Sequence, residues 1–471
     1  MSETAALWAK LKALADPEAS ASLERETATA SDRGLARMNP LAFAAARGLN
    51  PDDVISTFVH ATRIGLFDLS WNMLCPGCGG VLQEGGALKS LAREHFYCAL
   101  CAADYRATLD ELVEATFTVN PRVRRVAAHD PDTLPNYEYV RQVFWGSWVD
   151  APDDLERLLK PIVLDAVELA PGEKAAMNLV LPAAFSIVFD PATHTTEFLD
   201  VAGEPTTERR NLSFVISDGH SHNGRHELRP GPVRIAIENR SARRALPGVW
   251  VHNEHMDALF SRRRPFLTAT RLMSNQAFRD VYRNATLDPD RPFKITNLTI
   301  LFTDLSGSTL LYDRVGDLAA FDIVRRHFAA VLQAICAEGG AVVKTIGDAV
   351  MATFAAPDSG LRAAMRMRQS MRSLSRASDG LELALKIGLH EGPCLAVTLD
   401  DRSDYFGQAV NVASRVQTLA EPSAVLATRP IVANAVVAAS VSRGVYRTSA
   451  RSVLLRGVSD AFDVYEIAES A

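Results

Sequence analysis

The last third of this 471-residue chain carries side chains whose types and spacing suit phosphate chemistry. Asp304 ends an apolar run, Leu298 to Thr303, and precedes Leu305-Ser306-Gly307-Ser308-Thr309, a small-residue turn opening into a helical pattern. Backbone N–H groups at a helix N-terminus favour anions, and a carboxylate beside them suits a hard cation shared with phosphate. Asp348 follows 44 residues later, at the tip of a hairpin pattern. Two carboxylates meeting over such a turn would make a two-magnesium site. Taken singly, Asp304 also reads as a helix cap and Asp348 as a turn residue. Asp404-Tyr405-Phe406-Gly407 then leads into a helix carrying Asn411 and Arg415, four residues apart and so on one face. Arg offers a rigid cationic fork for a phosphoryl group, and Asn can orient a ribose. Lys344 stands in the hairpin, in a chain with only eight lysines among 50 basic residues. The plainer reading of these three is a surface Lys and a solvated Asn/Arg pair.

A second chemistry lies upstream. Cys75-Pro76-Gly77-Cys78 and Cys98-Ala99-Leu100-Cys101 are separated by nineteen residues, the spacing of a structural zinc site. Four thiolates close a tetrahedron and leave no open position, so this zinc would be structural. A redox C-x-x-C is disfavoured by the presence of two such pairs and no thioredoxin-like surroundings. Cys336 and Cys394 are left over as singletons. The preceding stretch Pro51–Leu69 reads as helical and Arg122–Arg125 is basic; DNA contact is one reading of that module, protein docking or a purely structural role the plainer one.

The elements that must position these groups can be read from periodicity. A long helix follows Asp304, its apolar face marked by Phe321, Val324, Phe328, Val331, Leu332 and Ile335, stopped at Gly339-Gly340. A hairpin (341–346, 349–354), a helix (360–374), a strand (383–389) and a helix (408–420) complete a βαββαβ order, ferredoxin-like, with extra strands at 452–455 and 463–467. Upstream, apolar or alternating runs between Asp150 and Asn253, punctuated by Pro-Gly and Asp-Gly turns, read as a β-sandwich-like domain. Its loop His220-Ser221-His222…His226, with His252 and His255, either holds a metal, senses pH or is simply exposed. Arg271–Leu287 reads as one linking helix.

Composition narrows the class. With 48% hydrophobic and 23% charged residues and a net charge of −6, the chain is a globular protein of several domains. The acidic balance argues against bulk binding of nucleic acid. No apolar run reaches the length of a membrane span, and Met1–Ala15, an amphipathic helix, lacks the features of a secretory signal. The expected location is cytoplasmic.

Three stretches resemble one family. Phe302-Thr-Asp304-Leu-Ser-Gly307-Ser-Thr309, Lys344-Thr-Ile-Gly-Asp348 and Asp404-Tyr-Phe-Gly407-Gln-Ala-Val-Asn411-Val-Ala-Ser-Arg415 are similar to the opening, hairpin and closing-helix motifs of class III nucleotidyl cyclases. The resemblance covers about Lys294 to Ala468. It implies two Mg²⁺ or Mn²⁺ ions on Asp304 and Asp348, with the Leu305 carbonyl as a further ligand. It also implies a purine edge read by Lys344 and Asp404, where relatives that make cyclic GMP carry a Glu/Cys-like pair. Asn411 would orient the ribose and Arg415 stabilise charge on the α-phosphate. Gly307, Ser308 and Thr309, and more weakly Arg456, would hold the triphosphate. Family sites form between two head-to-tail chains, so a homodimer is expected.

The sequence departs from the family at Glu391, where a small hydroxyl residue is common, and at Phe406, which replaces a common Trp. The expected fold is α+β, with five parts: a helical segment (1–70), a zinc ribbon (71–125), a β-sandwich-like domain (150–255), a helical linker (256–293) and the cyclase domain (294–468). The expected activity is adenylate cyclase, ATP to 3′,5′-cyclic AMP and pyrophosphate, under an N-terminal region answering to an unknown ligand or protein. GTP, a pyrimidine triphosphate or non-catalytic nucleotide binding remain alternatives. A P-loop enzyme is excluded by the lack of G-x-x-x-x-G-K-[ST].

Overall fold

The computed structural model describes residues 3–91, 95–218, 223–282, 287, 292–307, 313–376, 383–399, 402–454 and 461–470. Ser308, Thr309, Arg456, His220 and His222 lie outside the described residues. The chain folds into two compact units: residues 1–86, 93–107 and 112–267, and residues 87–92, 108–111 and 268–471.

In the first unit, helices span Glu3–Leu14, Pro17–Thr29, Pro40–Arg47 and Pro51–Arg63. Asn50 caps the last of these through the Asp52 N–H at 2.8 Å, with Pro51 at the first helical position. The expected helical stretch to Leu69 stops at Arg63, and Phe67–Leu74 is a strand, flanked by Val81–Gly85 and Val113–Val119. Its buried Phe67, Trp71, Met73 and Leu74 suit a covered strand better than a helix. Arg124, from the basic stretch, is engaged within the fold by the Thr27 carbonyl and Asp32, each at 3.0 Å. A small hairpin, His95–Cys98 with Ala103–Arg106, carries the second cysteine pair.

Further along, a three-stranded and a five-stranded sheet pack Met177, Phe214 and Ile235 of one against Val188, Leu199 and Val249 of the other in one core. This sandwich includes two parallel pairings: 210–216 with 231–239, and 195–201 with 223–228.

The second unit is α+β. It opens with two short helices, α1 (Ala269–Met273) and α2 (Gln276–Val281), where the sequence suggests one. Asn275 breaks them because its side chain accepts from the Phe278 N–H and caps α2. There follow β1 (Phe293–Ser306), α3 (Asp317–Ala337), β2 (Ala341–Ile346), β3 (Ala349–Phe354), α4 (Pro357–Arg376), β4 (Ala384–Leu399), β5 (Arg402–Phe406), α5 (Gln408–Thr418), β6 (Val425–Thr428), β7 (Tyr446–Leu454) and β8 (Ala461–Glu469). Among the described residues the eight strands run β2-β3-β1-β4-β6-β8-β7, with β5 paired to β4. All these pairs are antiparallel except β4 with β6.

Leu301 and Leu305 of β1 share a core with Val331, Ile335, Leu361 and Met365 from α3 and α4. The buried face of α3 is Ala320, His327, Val331, Ala334 and Ile335. Phe321 and Leu332, expected inside, are 65% and 41% exposed, because the buried stripe of the helix runs through Ala320, His327, Val331, Ala334 and Ile335 and leaves them off it. No described helix is long and apolar enough to cross a membrane.

Candidate active site

β1 and β3 are antiparallel neighbours, with Thr303 opposite Val350, so Asp304, just past that pairing in β1, and Asp348, in the turn before β3, lie at the same end of adjacent strands. A two-residue turn joins β2 to β3, with Ile346 paired to Ala349. Its first central residue, Gly347, has φ 63°, as the tight primed turns of hairpins require. Burial raises the pKa of Asp304, and the negative charge of Asp348 adds to it; Lys386 and Gln417 act in the opposite sense. Asp348 Oδ2 is buried and has no hydrogen-bond partner among the described residues. Neighbouring carboxylates, one with an orphan oxygen, form the donor set a hard divalent cation takes. Leu305 is 2% exposed at the strand end, and Gly307 follows at φ 76°.

The turn is held from behind by a residue that the sequence reading missed. His327 of α3 is fully buried, and its Nε2–H donates to the Asp348 carbonyl at 3.3 Å. Its signal was a polar residue at a core-facing position of an amphipathic helix.

Lys344 and Asp404, sixty residues apart, meet: Lys344 Nζ donates to Asp404 Oδ2 at 2.5 Å. Asp404 is 8% exposed, and its other oxygen accepts from the Tyr405 N–H at 2.8 Å. The strand that brings it there, β5, was not foreseen. It exists because β4 continues to Leu399 and turns back, pairing Val397 with Asp404.

Asn411 and Arg415 lie on α5, the first exposed and the second half-buried. Among the described residues no hydrogen bond or ion pair joins either to Asp304, Asp348, Lys344 or Asp404. Gly388 of β4 sets the helix position: a Cβ there would stand 2.2 Å from the Gln417 nitrogen. Only glycine lets α5 rest directly on the strand. Phe406 is 66% exposed and Glu391 half-buried, its pKa raised by that burial.

In the first unit all four motif cysteines converge, their sulfur atoms within 4.8 Å of one another. Cys75 and Cys101 are 3.6 Å apart, Cys78 and Cys98 3.7 Å. A tetrahedral zinc with Zn–S near 2.3 Å separates its sulfurs by about 3.8 Å, whereas a disulfide needs about 2.05 Å. The first knuckle closes through Cys75 N–H to the Gly80 carbonyl (2.8 Å) and Gly79 N–H to the Cys75 carbonyl (2.9 Å). The cluster fits a tetrahedral thiophilic ion such as zinc. Among the described residues His226 faces Glu197 and His252 faces Asp257, each at 3.0 Å.

The model of the adenylate and guanylate cyclase catalytic domain matches residues 292–459. The second unit is therefore a class III cyclase catalytic domain, with the α+β fold expected of it. A family of unknown function (DUF5939) matches residues 1–280, and the chain belongs to that family. An adenylate cyclase of Anabaena cylindrica is 32% identical over 185 residues, 36% of this chain and 36% of that one. An uncharacterized protein of Mycobacterium tuberculosis is 36% identical over 126 residues, 27% of this chain and 31% of its own. The chain thus spans about a third of the length of these curated relatives. The adenylyl cyclase CyaB from P. aeruginosa, 22% identical, is covered to 97% by 38% of this chain, with a TM-score of 0.34.

Proposed function

We propose that this protein is an adenylate cyclase, forming 3′,5′-cyclic AMP and pyrophosphate from ATP at a homodimer interface, with residues 1–290 regulating it. The observation that carries the reading is the Lys344–Asp404 contact at 2.5 Å. One ammonium and one carboxylate, side by side, match the adenine edge: Lys344 donates to N1 and Asp404 accepts from the exocyclic amine. Guanine reverses that pattern. The Tyr405 N–H anchors one oxygen of Asp404, so the other can exchange Lys344 for the base without the side chain moving. The names of relatives such as the Anabaena adenylate cyclase point the same way.

Asp304 and Asp348, with the Leu305 carbonyl, would hold two divalent ions, which would supply acidification of the ribose 3′-hydroxyl and neutralisation of the triphosphate. Asn411 orients the ribose for in-line approach of its 3′-oxygen to the α-phosphorus. Arg415 balances the charge that builds on the α-phosphoryl oxygens as the bond to pyrophosphate breaks. Gly307, Ser308, Thr309 and Arg456 are assigned to the triphosphate from their sequence positions, and of these only Gly307 lies within the described residues. The exposed Asn411 and Phe406 on α5 and at its approach, and Ile346 at 55% exposure beside the turn, suit an interface with a second copy.

Purified protein should be incubated separately with ATP, GTP, CTP and UTP, with Mg²⁺ or Mn²⁺, and its products identified chromatographically. Cyclic AMP and pyrophosphate from ATP are expected. Cyclic GMP as the main product would overturn the purine assignment, and no product from any of the four would leave a nucleotide-binding regulator.

A further inference from the structure

Strand β2 contains an irregularity beside the purine-reading pair. Against β3, Val342 pairs with Ala352 and Lys344 with Met351, so Val343 is an extra residue, a β-bulge. A bulge re-aims the side chains that follow it and leaves local backbone groups without ladder partners. Here those groups find partners on α2. Gln276 Oε1 accepts from the Val342 N–H at 2.8 Å. Arg279 Nη2 donates to the Val343 carbonyl at 3.4 Å and to the Ser403 carbonyl at 2.6 Å.

Arg279 thus grips β2 one residue before Lys344 and β5 one residue before Asp404. A cavity of about 200 Å³ lies along this junction, lined by Gln276, Arg279, Tyr282, Val342, Val343 and Ser403 among others. Gln276 and Arg279 lie within the 1–280 match and outside the 292–459 match. The three hydrogen bonds thus join side chains outside the matched catalytic segment to backbone inside it.

We infer that Gln276 and Arg279 are positioning residues for purine selection, setting the separation and aim of Lys344 and Asp404 by capping the bulge and bridging the two strands. The inference rests on the reading of Lys344 and Asp404 as the purine contacts. Neither Gln276 nor Arg279 touches substrate in it; both act through backbone. Loss of either cap lets the bulge relax, so ammonium and carboxylate no longer match the adenine edge together.

The test is the ratio of kcat/KM for ATP to that for GTP, measured on the full chain. Arg279→Ala and Gln276→Leu should each lower the ratio at least about tenfold, mainly through KM for ATP, with the melting temperature within a few degrees of the parent. Arg279→Lys, which keeps a donor to one carbonyl, should recover part of the ratio. The control is Lys344→Glu with Asp404→Cys, which should shift the ratio towards GTP. If the control leaves the ratio unmoved, the purine reading falls and this inference with it. If the control moves it while folded Arg279→Ala and Gln276→Leu do not, the positioning role alone is wrong. Should Arg279→Ala fail to fold, Gln276→Leu and Arg279→Lys decide by the same ratio.

Discussion

At the residue scale the proposed chemistry divides between two sets of side chains. Asp304 and Asp348 form one, and Asn411 and Arg415 the other, with no bond between them among the described residues. Asp304→Ala and Arg415→Ala should each lower cyclase activity by at least about a hundredfold, a few kcal/mol of barrier. Mixed together, the two variants should regain activity at the one intact site of a heterodimer; a mixture as inactive as its parts would refute the shared site. A third residue contributes to the pH dependence of stability. His390 is 8% exposed, its Nδ1 is 2.7 Å from Thr428 Oγ1, and burial lowers its pKa to about 4. Between about pH 4 and 6.5 the unfolded chain binds the proton that the folded one refuses. This group's stabilising contribution is complete above pH 6.5 and declines as pH falls, by up to about 3 kcal/mol. Denaturant titrations of His390→Gln should show a flatter stability profile across that window than the parent.

At the element scale the outcome turns on which strands and helices periodicity could reveal. The hairpin β2–β3, helices α3 to α5 and the cysteine knuckles were legible, because each combines a regular apolar period with a glycine, proline or cysteine marker. β5 was not, since Arg402–Phe406 has no alternating pattern and is a strand only because β4 is there to pair with it. The second bulge was equally hidden. In β1 the register shifts between Ile295 and Leu298. The Asp110 carboxylate accepts from the Thr296 N–H, at 3.0 and 3.1 Å, from the Thr296 hydroxyl, and from the Asn297 N–H at 2.9 Å. A residue 186 positions away leaves no local trace of such a role. Asp110→Ala should destabilise the second unit by about 1–3 kcal/mol, read as a lower urea midpoint, with Asp110→Asn falling between. Gly388→Ala should displace α5 and abolish most activity while the sheet stays folded, which circular dichroism alongside the cyclase assay would separate.

At the scale of the whole molecule, the two proposed metal sites would play different parts. The four-cysteine cluster sits in a core with Phe144, Trp145, Phe189 and Trp250, so removing its ion should loosen the first unit around it. Dialysis against a strong chelator should release about one zinc per chain and lower the first unit's melting temperature, with restoration on adding zinc. Unchanged melting with the metal gone would show the cluster to be inert. The site itself was legible to the extent that its motifs are contiguous in sequence; its supports, His327, Gln276, Arg279 and Gly388, were not, because what they touch is set only by the fold.

Residues 108–111 belong to the second unit, while the chain on both sides of them belongs to the first. No single cut therefore releases an intact catalytic unit. A fragment beginning at residue 268 keeps Gln276 and Arg279 but loses Asp110, and one beginning at 292 loses all three. A segment of residues 292–459 alone would carry the motifs without the contacts that Gln276, Arg279 and Asp110 make to the two bulges.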